Sequence, residues 1–125
     1  MKDVKVAGLW IDGRKAIVVT NHNAQEVTNF AVREIVKVDV QQGNSNENAA
    51  NNVEQTNKVK AYKEIEKLIT NSVELYITGP GTSQEELRNY LLDTPQYKNL
   101  KITLGTASQL SEEQVLEEVK NHYND

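Results

Sequence analysis

The sequence predicts a three-layer α/β fold with the element order β-β-β-α-β-α-β-α. Three observations carry that prediction. The first third of the chain holds three apolar runs separated by short polar turns. From Val59 to Tyr123, helical stripes alternate with short runs of β-branched and aromatic residues. The breakers Asp12-Gly13, Gly79-Pro80-Gly81 and Thr94-Pro95 fall at the junctions.

The run from Val4 to Ile11 is nearly all apolar, which suits a strand covered on both faces. Asp12-Gly13 follows, and then Ala16 to Thr20. An Asp-Gly pair between two apolar runs signals a hairpin, because Gly supplies positive φ cheaply. A polar turn at Asn21-His22-Asn23-Ala24 leads to a third strand. There Phe30, Val32, Val36, Val38 and Val40 share a parity, so they are expected on one inward face. The segment from Gln41 to Asn57 has six Asn, three Gln and neither period, and is expected to be a flexible loop. Val59, Tyr62, Ile65, Leu68 and Ile69 then form a helical stripe. Val73 to Thr78 reads as a strand. Ser83 with Glu86 reads as a capping box opening a helix that points Leu87, Tyr90 and Leu91 inward. Leu100 to Leu104 is the last strand. Ser111 with Gln114 is a second capping box, and Val115, Leu116, Val119 and Tyr123 line the last helix. A meander followed by α-β-α-β-α, with right-handed parallel crossovers, is the plan of the ribonuclease-H-like fold: a mixed five-stranded sheet between helices.

A chain of 125 residues fits a single domain, residues 1–125, around one core. It contains no cysteine, so disulfides and thiolate metal sites are excluded. No run approaches the roughly 20 apolar residues that span a bilayer. Met1 to Asp12 lacks the apolar stretch of a signal peptide, so a cytoplasmic location and no membrane partner are expected. The net charge is −4, from 14 Lys and Arg against 18 Asp and Glu, which predicts no bulk attraction to nucleic acid. A local basic patch stays compatible with that balance.

Two segments resemble a known family. Gly8-Leu9-Trp10-Ile11-Asp12-Gly13-Arg14-Lys15-Ala16 resembles the opening hairpin of the middle domain of archaeo-eukaryotic peptide-release factor and Pelota. It is also similar to free-standing bacterial relatives described as translational machinery components. Leu75-Tyr76-Ile77-Thr78-Gly79-Pro80-Gly81, with the Glu85-Glu86-Leu87 helix, resembles the strand, turn and helix of the same domain. With the matching element order, the resemblance covers nearly the whole chain. It implies a link to translation, with the ribosome or RNA as partner, or another protein.

The departures bear on activity. In the release factor, the connection between the third strand and the first helix carries a Gly-Gly-Gln loop that helps water attack the peptidyl-tRNA ester. The corresponding segment here has Gln41-Gln42-Gly43, one Gly, two acids and no Lys or Arg. The resemblance therefore implies a non-catalytic binding protein, not an enzyme; Pelota-type proteins also lack that loop. The bacterial relatives often carry His after the hairpin Asp, where this chain has Gly13. They often carry Lys after the Gly-Pro-Gly turn, where this chain has Gln84 nearby.

Read on their own, the residues yield few sites. Asp12 sits where ribonuclease-H enzymes place a metal-binding acid. No convergent acids accompany it, so it reads as a turn residue and no metal is expected. Gly79, Gly81, Thr82 and Ser83 precede a helix whose free N–H groups suit an anion; the simpler reading is a tight turn with a cap. Arg14 and Lys15 at the hairpin tip are candidate RNA contacts, against a solvated-tip alternative. Lys60, Lys63 and Lys67 share a helix face, where (i, i+4) pairing of Lys60 with Glu64 is the simpler reading. His22 and His122 read as surface residues, Trp10 reads as core, and no cofactor is expected. Two other function classes stay open: a protein-interaction module using a sheet edge or the Asn-rich segment, and a hydrolase or nuclease, against which the missing acids argue.

Overall fold

The computed structural model describes residues 4–23, 25–38 and 47–123, with side chains from residue 58 onward in the last span. Val6–Ile11 (β1), Lys15–His22 (β2), Val27–Lys37 (β3), Glu74–Thr78 (β4) and Lys101–Leu104 (β5) form one sheet in the order β3-β2-β1-β4-β5. Strand β1 pairs antiparallel with β2, placing Leu9 opposite Val18, and parallel with β4, placing Leu9 opposite Ile77. Strand β5 adds in parallel beyond β4. The apolar run of β1 is thus explained: it is the central strand, and all six of its residues are buried.

Helices Glu47–Leu68 (α1) and Ser83–Asp93 (α2) cover one face, and Glu112–Tyr123 (α3) covers the other. On the first face Leu9, Ile11, Val18 and Ile77 meet Tyr62 and Ile65 of α1, Ile69 just beyond its end, and Leu87 and Leu91 of α2. Ile65 and Ile69 are fully buried, and each stabilises the docked helix by about 1.5–3 kcal/mol. On the second face Val6, Trp10, Ile17 and Val19 meet Val115, Val119 and Tyr123. The predicted element order and mixed five-stranded sheet are those observed.

Four local expectations are corrected. The apolar parity of β3 breaks, because Val18 pairs with Glu34 while Val19 pairs with Val32. Arg33 is the extra residue of a bulge, so Phe30, Val32 and Ile35 pack toward α3, and Val36 and Val38 pack toward α1. Helix α1 begins at Glu47, inside the segment expected to be a loop; residues 41–46 lie outside the described residues. Asn costs a helix less than about 0.7 kcal/mol relative to Ala, and no Gly or Pro falls between Gly43 and Gly79. The hairpin forms without a left-handed φ at Gly13, because Asp12 closes the turn with its side chain. The Ser83–Glu86 box is absent: Thr82 is the N-cap residue of α2, and no side-chain hydrogen bond caps that end. The second box forms as expected. Ser111 N–H donates to Gln114 Oε1 (2.9 Å) and Gln114 N–H donates to Ser111 Oγ (3.2 Å).

Candidate functional site

The parallel strands β1, β4 and β5 end on the same side of the sheet, and three connections meet there: Asp12 to Lys15, Gly79 to Ser83, and Gly105 to Ser111. In open α/β sheets this is where ligand-binding loops collect.

The hairpin turn is built on Asp12. Its Oδ1 accepts the N–H of Arg14 (2.8 Å) and of Lys15 (2.9 Å), while its own N–H donates to Lys15 O (3.0 Å). The carboxylate is thus occupied as a turn residue. Among the described residues no group of three or more His, Asp or Glu is placed to hold a metal ion. Arg14 is exposed at the tip. Lys15 Nζ lies 5.8 Å from the centre of the Trp10 ring, within cation–π range. Trp10 is core, as expected, and it also donates Nε1–H to Ala107 O (3.2 Å) and Ser108 O (3.1 Å). The indole thereby ties the β5–α3 connection to the end of β1.

Gly79 is buried, and a Cβ there would lie 2.2 Å from Ile11 O and 3.0 Å from Gln84 Oε1. Its φ is not left-handed, so close approach of backbone to backbone is what requires glycine. Gln84, 4% exposed, donates Nε2–H to Gly79 O (2.8 Å) and Gly105 O (3.1 Å). Ala107 N–H also donates to Gly79 O (2.8 Å). One amide side chain therefore clamps two strand-end loops together. Sequence reasoning missed it, because a glutamine in the first turn of a helix reads as surface.

Gly81, Thr82 and Ser83 differ from Gly79. Gly81 and Thr82 are exposed, and a Cβ at Gly81 would meet nothing within 4 Å. The uncapped start of α2 points its free N–H groups outward here. Glu85 and Glu86 in its first turn already complement the helix dipole, and Glu86 pairs with Lys58 (3.4 Å). An anion at this end would compete with two carboxylates.

The lysines of α1 form a further group. Lys60, Lys63 and Lys67 are exposed, and the anticipated Lys60–Glu64 pair is replaced by Lys67–Glu64 at 3.6 Å. Glu64 comes first and Lys67 follows at i+3, and such exposed pairs contribute roughly 0–1 kcal/mol.

His22 corrects the sequence reading. It closes β2 and is 2% exposed, with Nδ1 2.7 Å from Asn23 O and Nε2 2.7 Å from Ser72 Oγ. A carbonyl only accepts, so Nδ1 carries the proton and Nε2 accepts from the serine hydroxyl. Burial holds the imidazole below its usual range, and Lys5 and Arg33 push the same way against an opposing bond to Asn23. Those two cations disfavour an imidazolium, which makes His22 a poor general base for Ser72 despite the short contact. The turn begins at Asn23, whose Oδ1 accepts the N–H of Gln25 and Glu26. His122 stacks on Tyr76, with ring centres 4.1 Å apart.

The chain matches no protein-family model and no curated protein. Solved structures do resemble it. Archaeoglobus fulgidus Pelota superposes with a TM-score of 0.56 at 13% identity, over 98% of this chain and 32% of that one. The archaeal translation termination factor aRF1 gives 0.55 at 13% identity, over 96% and 39%. Dom34 of S. cerevisiae, a translation termination-like factor involved in RNA quality control pathways and interacting with Hbs1, gives 0.54 at 15% identity, over 91% and 31%. The chain thus spans about a third of each of these proteins. At these identities the likeness is one of fold, the fold of a release-factor-like domain.

Proposed function

We propose that this protein is a non-catalytic, translation-related binding protein of the cytoplasm, equivalent to the middle domain of a release factor or Pelota. The observation that carries the proposal is the fold: the strand order β3-β2-β1-β4-β5 with helices on both faces, matching translation factors over more than nine-tenths of the chain. The occupied Asp12 carboxylate supports the non-catalytic part. Gln41-Gln42-Gly43, at the place the release factor gives to Gly-Gly-Gln, lies outside the described residues; the support there is the sequence alone. The strand-end surface of Arg14, Lys15, Gly81, Thr82 and Ser83 is the proposed contact, with the ribosome or its RNA as partner. Gly79 serves it from behind as a packing residue.

A protein-interaction role is the second reading. It is favoured by β3, an edge strand running from Val27 to Lys37 with mostly exposed residues and one unpaired backbone edge. Sedimentation of the tagged chain from lysate, with and without ribonuclease, separates the two. Cosedimentation with ribosomal particles that collapses on ribonuclease treatment is expected. One stoichiometric protein partner, retained after ribonuclease and absent from ribosomal fractions, would replace the first reading by the second.

A further inference from the structure

The net charge of −4 leaves room for a local basic patch. Helix α3 exposes Glu112, Glu113, Glu117 and Glu118 on one face of the molecule. On the opposite face, Lys60, Lys63 and Lys67 of α1 line a groove of about 280 Å³ with Glu64 and with Lys37 from the end of β3. Lys63 and Lys67 also border an adjoining groove of about 350 Å³ that reaches Gln96 and Tyr97. Among the described residues, Lys37, Lys60 and Lys63 take part in no ion pair.

Acids lie on the same side of the sheet as these lysines. Glu64 pairs with Lys67, and Glu66 accepts a hydrogen bond from Tyr90 Oη at 2.7 Å. Glu34 has no bonded partner among the described residues, and α2 exposes Glu85, Glu86 and Asp93 on the same face as α1. From Lys60 to Lys67 the helix rises about 10 Å, so the ammonium groups form a line rather than a point.

We infer that the Lys37–Lys60–Lys63–Lys67 groove docks the phosphodiester backbone of double-stranded RNA. The inference rests on the translation-related reading for its choice of RNA, and on charge complementarity for the phosphate. The duplex is favoured over a single strand, because unpaired bases need aromatic platforms and every aromatic ring in the chain is buried or half-buried. Recognition is therefore by backbone and independent of sequence.

The test is fluorescence anisotropy of a labelled RNA duplex of ~16 base pairs with the full chain. With about four phosphates neutralised, raising salt from ~50 to ~200 mM should weaken binding by about 100-fold. Lys60→Glu with Lys63→Glu, both exposed helix positions, should weaken it at least about tenfold and flatten the salt slope, with an unchanged circular dichroism spectrum. Absence of duplex binding at low salt, or binding unaffected by the double substitution, overturns the inference. So does equal capture by a polyglutamate peptide of matched charge, which would make the groove an acidic-protein site. Ribosome sedimentation of the same proteins keeps the two proposals apart. If the parent sediments with ribosomes but the double variant binds duplex as the parent does, the groove inference fails and the translation reading survives. If the parent binds duplex through these lysines but never sediments with ribosomes, the groove stands and that reading fails.

Discussion

Replacing Gly79 by alanine is the sharpest perturbation the strand-end loops offer. The new methyl would sit 2.2 Å from Ile11 O, a backbone atom of the central strand, and 3.0 Å from Gln84 Oε1. Gln84 can shift; the carbonyl of β1 cannot, because β1 is paired on both sides. Overpacking of this kind costs about 1–3 kcal/mol. Moving the turn away also strains three hydrogen bonds, those from Gln84 to Gly79 O and Gly105 O and that from Ala107 to Gly79 O. Each contributes about 0.5–1.5 kcal/mol net, so a total loss of about 3 kcal/mol or more is expected. Gly81→Ala is the internal control. Nothing lies within 4 Å of its Cβ position and its φ is not left-handed, so the alanine should be neutral or stabilise by about 0.4–1 kcal/mol through the unfolded chain. Urea unfolding of both variants measures the difference directly. At a slope of about 1–3 kcal/mol per molar, the Gly79→Ala midpoint should fall by 1 M or more while that of Gly81→Ala holds. Equal midpoints for the two variants would refute the close-approach argument.

Two further outcomes follow from the same contacts. Gln84→Leu keeps the volume but leaves Gly105 O without its donor and Gly79 O with Ala107 alone; a loss of about 1–3 kcal/mol is expected, together with faster amide exchange at Gly105 and Ala107, and unchanged exchange there would remove the clamp from the account. His22 binds its proton less readily when folded, so the unfolded chain takes up the proton first as pH falls. Its contribution is therefore full above pH ~6.5, declines by up to about 1.4 kcal/mol per unit toward the lowered folded value, and is flat below that. Urea midpoints between pH 8 and 5, compared with those of His22→Gln, should show this slope in the parent only; parallel curves would exclude His22 as its source.

Legibility in the sequence followed the range of the interaction. Period and breakers act within a few residues, so the order of elements, the central strand and the Ser111 cap could all be read. Asp12 was legible for the same reason, since an Asx turn is closed by its nearest neighbours. What failed depends on partners far along the chain. At the bulge the Arg33 guanidinium reaches back to Thr20 Oγ1 and His22 O, and no periodicity contains that. His22 is buried by Ser72, fifty residues away, and Gln84 by Gly105, twenty-one away. The start of α1 was missed for a different reason: an Asn-rich composition lowers helix propensity only slightly, and docking of the Tyr62, Ile65 and Ile69 face outweighs it.

The same distinction separates scaffold from site at the strand ends. Gly79, Gln84 and Trp10 are fixed by contacts with one another and with the central strand, and nothing in their arrangement requires a ligand. Gly81 lacks every structural reason for being glycine: its surroundings are open and its backbone angle suits any residue. Arg14 is likewise exposed at its turn, and its side chain is not needed to close it, because Asp12 takes the Arg14 backbone N–H instead. If Gly79→Ala destabilises while Gly81→Ala does not, then any loss of ribosome sedimentation by Gly81→Ala reports on contact with a partner and not on the fold. Retained sedimentation by both Gly81→Ala and Arg14→Ala would move the contact away from the strand ends and leave the lysine groove as the remaining basic surface.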